Sequence, residues 1–198
     1  MGKFIVVLLP LLFLMSCGSV PKGEDGDFTT KSRNADYTKS ATAYMPLAVG
    51  NKWTYSVDYM GQKGEMSVVI EKKEGDWFID NRGGKLRIDH RGIRDESRYL
   101  LQFPLVEKRA WLAVLKPGQT EHFSINKVAT TVKTPAGSWD TAVVVATTER
   151  KDREKELLSL HYFVPKVGIV KIQTYIRELR SGKAQLMTTT LLTSYTLK

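Results

Sequence analysis

The stretch Trp53-Thr54-Tyr55-Ser56-Val57-Asp58-Tyr59 alternates large apolar or aromatic residues with smaller polar residues. Successive side chains of a β-strand point to opposite faces, so this period of two predicts a strand with one buried face. Residues 61–64 follow as a turn signal, and Met66, Val68 and Ile70 continue the alternation. The stretch therefore predicts an antiparallel hairpin.

The same signals continue to the end of the chain. Turn signals occur at residues 81–84 and 116–119, and residues 141–148 form a run of the type found in buried strands. Residues 167–179 and 184–197 are expected to pair with each other. Short strands in this order, with almost no helical period, predict an all-β domain, an antiparallel meander that closes into a barrel or curves into a half-barrel.

Two features of this pattern leave alternatives open. Residues 151–160 are the one helical candidate, and their charges favour a hairpin tip over a helix. Pro46-Leu47 precedes Trp53 as Pro104-Leu105 precedes Trp111, with the same spacing. This repeat indicates either a pseudo-duplicated sheet or coincidence, since two copies are too few for a solenoid.

The N-terminus has the layout of a secretory signal. Lys3 precedes an uncharged apolar run over residues 4–15, which is shorter than the roughly 20 residues that a spanning helix needs. The run ends in Leu14-Met15-Ser16-Cys17, which resembles the lipobox of bacterial lipoproteins. Cys17 is the only cysteine of the chain, and lipidation would consume a thiol that is otherwise unpaired in an oxidising compartment. The alternative is an ordinary secretory signal with a chance cysteine.

These features divide the chain into three parts. Residues 1–16 are the expected lipoprotein signal peptide, residues 17–43 the lipidated cysteine and a polar, flexible tether, and residues 44–198 one β-rich domain. The expected location is the cell envelope, with a lipid anchor in the membrane. Gly18 after Cys17 favours the periplasmic face of the outer membrane, by analogy with lipoprotein sorting. The domain is expected to be a monomer.

Three phrases carry a family resemblance. Residues 44–55 (YMPLAVGNKWTY), 134–145 (TPAGSWDTAVVV) and 162–171 (YFVPKVGIVK) resemble, in this order, phrases of a broad group of uncharacterised bacterial envelope lipoproteins. Lys166 stands where that group usually has a glycine. The resemblance implies a β-rich sheet or barrel domain, and it implies no established activity.

A search for catalytic and metal-binding patterns finds none. His90, His122 and His161 have no short metal-ligand spacing, and each is expected at the surface or at a strand end. The chain has no Gly-x-Ser-x-Gly elbow and no glycine-rich phosphate loop. We therefore predict a protein that is not an enzyme and that has no metal site and no cofactor.

Six cationic residues crowd one segment: Arg82, Lys85, Arg87, Arg91, Arg94 and Arg98. Lys85 and Arg87 share strand parity and therefore a face with Asp89. In a chain of formal net charge +9 such a face could bind anionic lipid, lipopolysaccharide or an envelope protein. The interspersed Asp89, Asp95 and Glu96 favour the alternative of a solvated outer face. A nucleic-acid partner is not expected, because a secreted protein leaves the compartment that contains nucleic acid.

Seven aromatic residues either fill the core or line a ligand cavity: Trp53, Tyr55, Tyr59, Trp77, Phe78, Trp111 and Trp139. We expect them to fill the core, with Trp53 and Trp111 buried. The leading hypothesis is therefore a non-enzymatic envelope lipoprotein that acts as a structural or interaction module at the membrane surface. The alternative is a carrier or chaperone for a lipid or a lipidated cargo, which an open apolar cavity would favour.

Overall fold

The protein was analysed as a computed structural model that describes residues 41–198. This part contains a short 3-10 helix, Ala41–Ala43, and twelve strands. The strands are β1 Lys52–Tyr59, β2 Gln62–Glu74, β3 Trp77–Asp80, β4 Lys85–Asp89, β5 Gly92–Arg94, β6 Tyr99–Gln102, β7 Ala110–Lys116, β8 Gln119–Thr134, β9 Gly137–Arg150, β10 Lys155–Val164, β11 Gly168–Glu178 and β12 Ala184–Thr196.

The twelve strands form one antiparallel sheet, with the order β6-β5-β4-β3-β2-β1-β12-β11-β10-β9-β8-β7. Each strand except β6 pairs with the next one along the chain, and β1 also pairs with β12. The sheet curls into a nearly closed barrel. The predicted all-β class and antiparallel meander are confirmed.

The first hairpin has a tighter turn than the sequence predicts. Tyr59 lies opposite Gln62, so only Met60 and Gly61 connect β1 to β2. Both residues have positive φ, 49° and 89°, the conformation of a two-residue hairpin turn that matches the twist of its strands. The predicted turn at residues 61–64 is therefore wrong in its bounds, because β2 already begins at Gln62.

The two edges of the sheet, β6 and β7, meet without a backbone ladder. The indole Nε1 of Trp111 on β7 donates a hydrogen bond to the carbonyl oxygen of Tyr99 on β6, at 2.8 Å. Next to it, the guanidinium of Arg98 forms an ion pair with Glu121 on β8. We call this junction the open seam, and the ladder between β1 and β12 the closed seam.

The core is filled by the inward faces of the strands. The Trp53 indole is fully buried and donates a hydrogen bond to the Val167 carbonyl, at 2.6 Å. Trp111 is 9% exposed and stacks on Phe123, with ring centroids 5.4 Å apart. The prediction that Trp53 and Trp111 are buried is confirmed. The other large buried residues include Tyr44, Tyr55, Ile70, Ile93, Leu101, Ile125, Val143, Val145, Phe163, Val170 and Leu192.

The turn into β11 requires residues that are small or that adopt the left-handed backbone conformation. A Cβ atom on Gly168 would lie 3.0 Å from the Met45 sulfur and 3.5 Å from Trp53 Nε1, and φ of Gly168 is +107°. Glycine alone therefore fits closely beside Trp53. Lys166 has φ of 63°, so this lysine adopts the left-handed conformation that glycine adopts more readily.

The charged segment after β9 is a hairpin tip and not a helix. Strand β9 ends at Arg150 and β10 begins at Lys155. The Asp152 carboxylate accepts hydrogen bonds from the backbone N–H groups of Glu154 and Lys155, both at 2.7 Å. An aspartate that binds the backbone in this way favours a turn, so the predicted hairpin tip is confirmed.

Packing begins before the predicted start of the domain at residue 44. Ala41 is buried, and its carbonyl accepts a hydrogen bond from the Tyr44 N–H at 3.1 Å. Residues 41–43 therefore belong to the packed domain and not to the tether. The predicted signal peptide, the lipidation site at Cys17 and the rest of the tether lie outside the described residues.

The two copies of the Pro-Leu and Trp repeat lie at the starts of the two halves of the sheet. Strands β1–β6 and β7–β12 are two runs of six, and Trp53 and Trp111 are the second residues of β1 and β7. Each indole donates to a backbone carbonyl on another strand or turn. This correspondence favours a pseudo-duplicated sheet.

Candidate functional site

The outer face of β3–β6 presents part of the predicted cationic set. Ile88 and Ile93 lie opposite each other and pack against the core. Arg87 and Arg94, which also lie opposite each other, therefore face outward. A register shift after Ile93 places Tyr99 opposite Arg94 on this outer face.

Three guanidinium groups stack on two aromatic rings at this place. The Arg87 guanidinium carbon lies 4.8 Å from the centroid of the Trp77 ring. Arg94 lies 5.9 Å from the Trp77 ring and 5.1 Å from the Tyr99 ring, and Arg91 covers the Tyr99 ring at 5.1 Å. We call these five residues, Trp77, Arg87, Arg91, Arg94 and Tyr99, the arginine–aromatic cluster. Each stacked pair at such a site contributes about 0.5–1 kcal/mol.

The guanidinium groups of the cluster have no ion-pair partner in the described part of the chain. Within residues 41–198 no carboxylate forms an ion pair with Arg87, Arg91 or Arg94. Arg94 donates only to the carbonyl oxygens of Asp95 and Glu96, at 3.1 and 3.2 Å. Arg87 Nε is buried and has no hydrogen-bond partner among residues 41–198. Because arginine stays charged and offers N–H groups in a planar fork, this arrangement is suited to an anion that can accept several hydrogen bonds.

The Tyr99 ring is held in place by Asp89. The tyrosine hydroxyl donates to Asp89 Oδ2 at 2.9 Å, and the other carboxylate oxygen accepts the backbone N–H groups of Arg91 and Gly92 at 2.8 and 3.2 Å. Desolvation alone would raise the pKa of Asp89, but these hydrogen bonds lower the pKa below its usual value. Asp89 therefore remains a carboxylate that orients the cluster from its edge.

Gly92 allows the cluster to form. Its φ is +154°, and a Cβ atom at this position would lie 1.9 Å from the carbonyl oxygen of Leu101. Only glycine lets β5 approach β6 this closely, so Gly92 fixes the distance between the strands that carry Arg94 and Tyr99.

The other three predicted cations lie elsewhere. Arg82, in the turn after β3, contacts the Met66 sulfur. Lys85 shares the outer face but forms an ion pair with Glu96, at 2.9 Å. Arg98 forms ion pairs with Asp95, at 3.0 Å, and with Glu121. The structure therefore brings together Arg87, Arg91 and Arg94 out of the six.

A second polar set lies on the inner face of the barrel, beside the open seam. Glu121, which binds Arg98, lies opposite Glu149, and Glu149 accepts hydrogen bonds from Gln119 at 2.8 Å and Lys151 at 2.9 Å. The hydrogen bond from Lys151 is the main reason why the pKa of Glu149 is lowered. Neither glutamate is among the predicted site residues; the signal for Glu121 is that it shares strand parity with the buried Phe123.

His161 corrects the expectation that each histidine lies at the surface or a strand end. It lies in the middle of β10, opposite the fully buried Val145, which faces the core together with Ile125. Desolvation inside the barrel lowers the pKa of His161 to about 4. His90 and His122 are exposed, as expected.

The described residues contain neither a metal cluster nor a membrane-spanning helix. No three His, Cys, Asp or Glu side chains in residues 41–198 gather closely enough to hold a metal ion. In the same residues, no helix has the length and apolar content that crossing a bilayer requires.

The seven aromatic residues separate into three groups, and the expectation that all of them fill the core is wrong for Trp77 and Tyr59. Trp53, Tyr55 and Trp111 are core residues, whereas Trp77 belongs to the arginine–aromatic cluster and Tyr59 is 48% exposed. Phe78 and Trp139 pack at the edge of the core. Phe78 also lines an open groove of about 390 Å³, together with residues such as Met45, Leu47, Ile88 and Lys198.

Comparisons with known proteins give two similar folds. No protein-family model and no curated protein sequence matches the chain. A candidate exported protein with a YmcC-like fold from Bacteroides fragilis is 12% identical, with a TM-score of 0.42 over 75% of this chain and 96% of that chain. A candidate lipoprotein from Parabacteroides distasonis is 13% identical, with a TM-score of 0.40 over the same shares. At these values neither protein assigns a family or a function to the chain.

Proposed function

We propose that this protein is a non-enzymatic lipoprotein of the bacterial envelope, anchored through Cys17, whose arginine–aromatic cluster binds an anionic partner. The observation that carries the proposal is that Arg87, Arg91 and Arg94 share two aromatic rings and form no ion pair with a carboxylate of residues 41–198; the one carboxylate at the edge of the cluster, Asp89, binds the Tyr99 hydroxyl. Holding three positive charges together is unfavourable unless an anion or solvent compensates them. An anion would bind where these N–H groups converge.

The interaction module is preferred over the carrier because of the core. Large aromatic and aliphatic side chains fill the region around Trp53, Tyr55 and Phe123, which are all nearly or fully buried. A carrier for a lipid tail would need an open apolar cavity at such a place. The absence of a recognised catalytic pattern in the sequence supports a non-enzymatic role.

Retention on an immobilised sulfated polysaccharide tests anion binding directly. We expect Arg87→Gln, Arg91→Gln and Arg94→Gln, combined in the full chain, to lower the salt concentration that elutes the protein. The matched control replaces three exposed lysines outside the cluster, Lys63, Lys133 and Lys183, with glutamine. Both variants lose three charges, so an equal fall in the two would show that only net charge matters and would contradict the cluster as a site.

The anchor has its own test. Cys17→Ala should abolish incorporation of a labelled fatty acid and leave the signal peptide uncut by the lipoprotein peptidase, because Cys17 is the only cysteine. Fractionation of labelled cells would then place the wild-type chain in the outer or the inner membrane. Equal labelling of the wild type and the variant would contradict the lipoprotein assignment.

A further inference from the structure

The outer face of the open seam carries exposed aliphatic side chains beside the arginine–aromatic cluster. Trp111 and Ala113 of β7 face the core, so Leu112 and Val114 face outward. Leu112 is 63% exposed and Val114 is 70% exposed, the largest values among the large hydrophobic residues of the described part, and Val106 in the preceding loop is 55% exposed. Burying these side chains on a partner would remove apolar surface from water.

The open seam places β7 beside β6, the strand that carries Tyr99 of the arginine–aromatic cluster. The hydrogen bond from Trp111 to the Tyr99 carbonyl joins β7 to β6, and Leu112 is the residue that follows Trp111. On the other side of the seam, the outward Tyr99 ring lies under Arg91 and Arg94. The neighbouring outer faces of β3–β6 and of β7 therefore carry the arginine–aromatic cluster, whose guanidinium groups form no ion pair with a carboxylate of residues 41–198, and the exposed Leu112 and Val114.

This combination fits the boundary of a lipid bilayer. Tryptophan and tyrosine are enriched at the level of lipid headgroups, arginine binds phosphate through paired N–H groups, and aliphatic side chains bury in the acyl boundary. A single anionic side chain of a protein partner would engage only one of the three guanidinium groups, whereas a headgroup layer offers many phosphates at once. The chain is also cationic overall, with a formal charge of +9, which favours an anionic surface.

We infer that the outer face of the open seam docks on an anionic phospholipid bilayer, with Arg87, Arg91 and Arg94 at the phosphates and Leu112 and Val114 in the headgroup–acyl boundary. This inference rests on the proposed anion-binding function and names its partner. A lipid anchor on the predicted tether would leave the domain free to turn, so a second contact with the same membrane would hold the domain in a fixed orientation.

Spin-label accessibility in vesicles tests the docking. The full chain, purified with its lipid anchor, carries a nitroxide at Leu112→Cys or, as a matched control, at Leu186→Cys. Leu186 is an exposed leucine on β12, at the opposite side of the barrel. The unsubstituted chain is labelled in parallel to measure any reaction at Cys17. Each protein is reconstituted into vesicles of phosphatidylcholine alone or mixed with phosphatidylglycerol.

Docking predicts that the label at position 112 becomes more accessible to oxygen and less accessible to a water-soluble nickel complex, only in the phosphatidylglycerol vesicles. The label at position 186 should stay in water in both. Arg87→Gln with Arg94→Gln should return the label at position 112 to water, and Val114→Cys should behave as Leu112→Cys does.

Two results would overturn the inference. A label at position 112 that stays in water in both kinds of vesicle would show that the seam does not touch the bilayer. Dipolar broadening between labels at position 112 would show instead that two copies pair through β7. In either case the polysaccharide test remains separate. If retention on the polysaccharide still depends on the cluster, the proposed anion binding stands and only the membrane as its partner is contradicted.

Discussion

The two seams of the barrel are closed by different means. At the closed seam every residue of β1 from Lys52 to Tyr59 lies opposite a residue of β12, so the backbone ladder is continuous apart from one bulge. At the open seam β6 and β7 share no ladder, and an indole hydrogen bond and the ion pair of Arg98 with Glu121 join the edges.

The outer faces of the two seams differ in the same way. At the closed seam, Thr193 of β12 donates a hydrogen bond to the Thr54 carbonyl of β1, at 3.0 Å, and the exposed large hydrophobic residues of these two strands are Tyr59, Leu186 and Tyr195. The open seam carries arginines, aromatic rings and exposed aliphatic residues. The comparison teaches that a continuous ladder uses up the backbone groups of both strands, whereas the open seam leaves edge groups unpaired by a ladder beside cationic and aliphatic side chains.

The largest expected effect distinguishes the tryptophans of the two seams. Trp53→Ala should lower the free energy of unfolding by about 4–5 kcal/mol, because it opens a cavity in a fully enclosed part of the core. Trp111→Ala should cost less, about 3 kcal/mol, because β7 is an edge strand that can relax into the space. Urea denaturation followed by circular dichroism measures both. A larger loss for Trp111 would contradict the expectation that the open seam relaxes more readily than the closed seam.

The next largest expected effect is a loss of stability at acid pH that is caused by His161 inside the barrel. The folded-state pKa of His161, about 4, lies below the unfolded value of 6.5, so the unfolded chain binds the proton more tightly. This contribution to stability is present above pH 6.5 and is lost as the pH falls toward 4. We expect a loss of about 2 kcal/mol between pH 7 and pH 5.

Variants isolate this histidine from the other acid-sensitive groups. His161→Phe should abolish most of the loss between pH 7 and pH 5, whereas the exposed His122→Gln should retain it. Urea midpoints at the two pH values measure the difference. An unchanged acid response in His161→Phe would mean that the imidazole is hydrated in the folded protein.

The smallest effect concerns the single hydrogen bonds of the two indoles. Trp111→Phe removes the donor to Tyr99 and should cost about 1 kcal/mol, because the carbonyl at this edge can bind water instead. Trp53→Phe leaves the Val167 carbonyl without a partner beside a buried ring and should cost about 2 kcal/mol. Equal losses would mean that the open seam excludes water as completely as the core does.

The sequence predicted the strands better than their assembly. The alternation from Trp53 to Tyr59 specifies a half-buried strand locally, because side-chain direction depends only on parity. The pairing of this strand with β12 joins residues at opposite ends of the domain, for example Lys52 with Thr196, and no local pattern encodes it. The open seam depends on the same long-range order of the strands, so no local sequence pattern predicts it.

The candidate site was predictable in part for the same reason. Parity placed Lys85, Arg87 and Asp89 on one face correctly, since β4 is regular. It could not show that Glu96 neutralises Lys85, or that a register shift after Ile93 brings Arg94 and Tyr99 together, because both depend on contacts between strands.

Hydrogen exchange of the full chain with anionic vesicles tests the central claim most directly, because it follows both seams in one experiment. The account predicts that phosphatidylglycerol vesicles slow exchange in residues 86–99 and 110–116, the strands of the open seam and its cluster, relative to phosphatidylcholine vesicles. Exchange in residues 52–59 and 184–196, the closed seam, should not change. Protection that appears at the closed seam, or equally at both, would contradict the assignment of the open seam as the binding face.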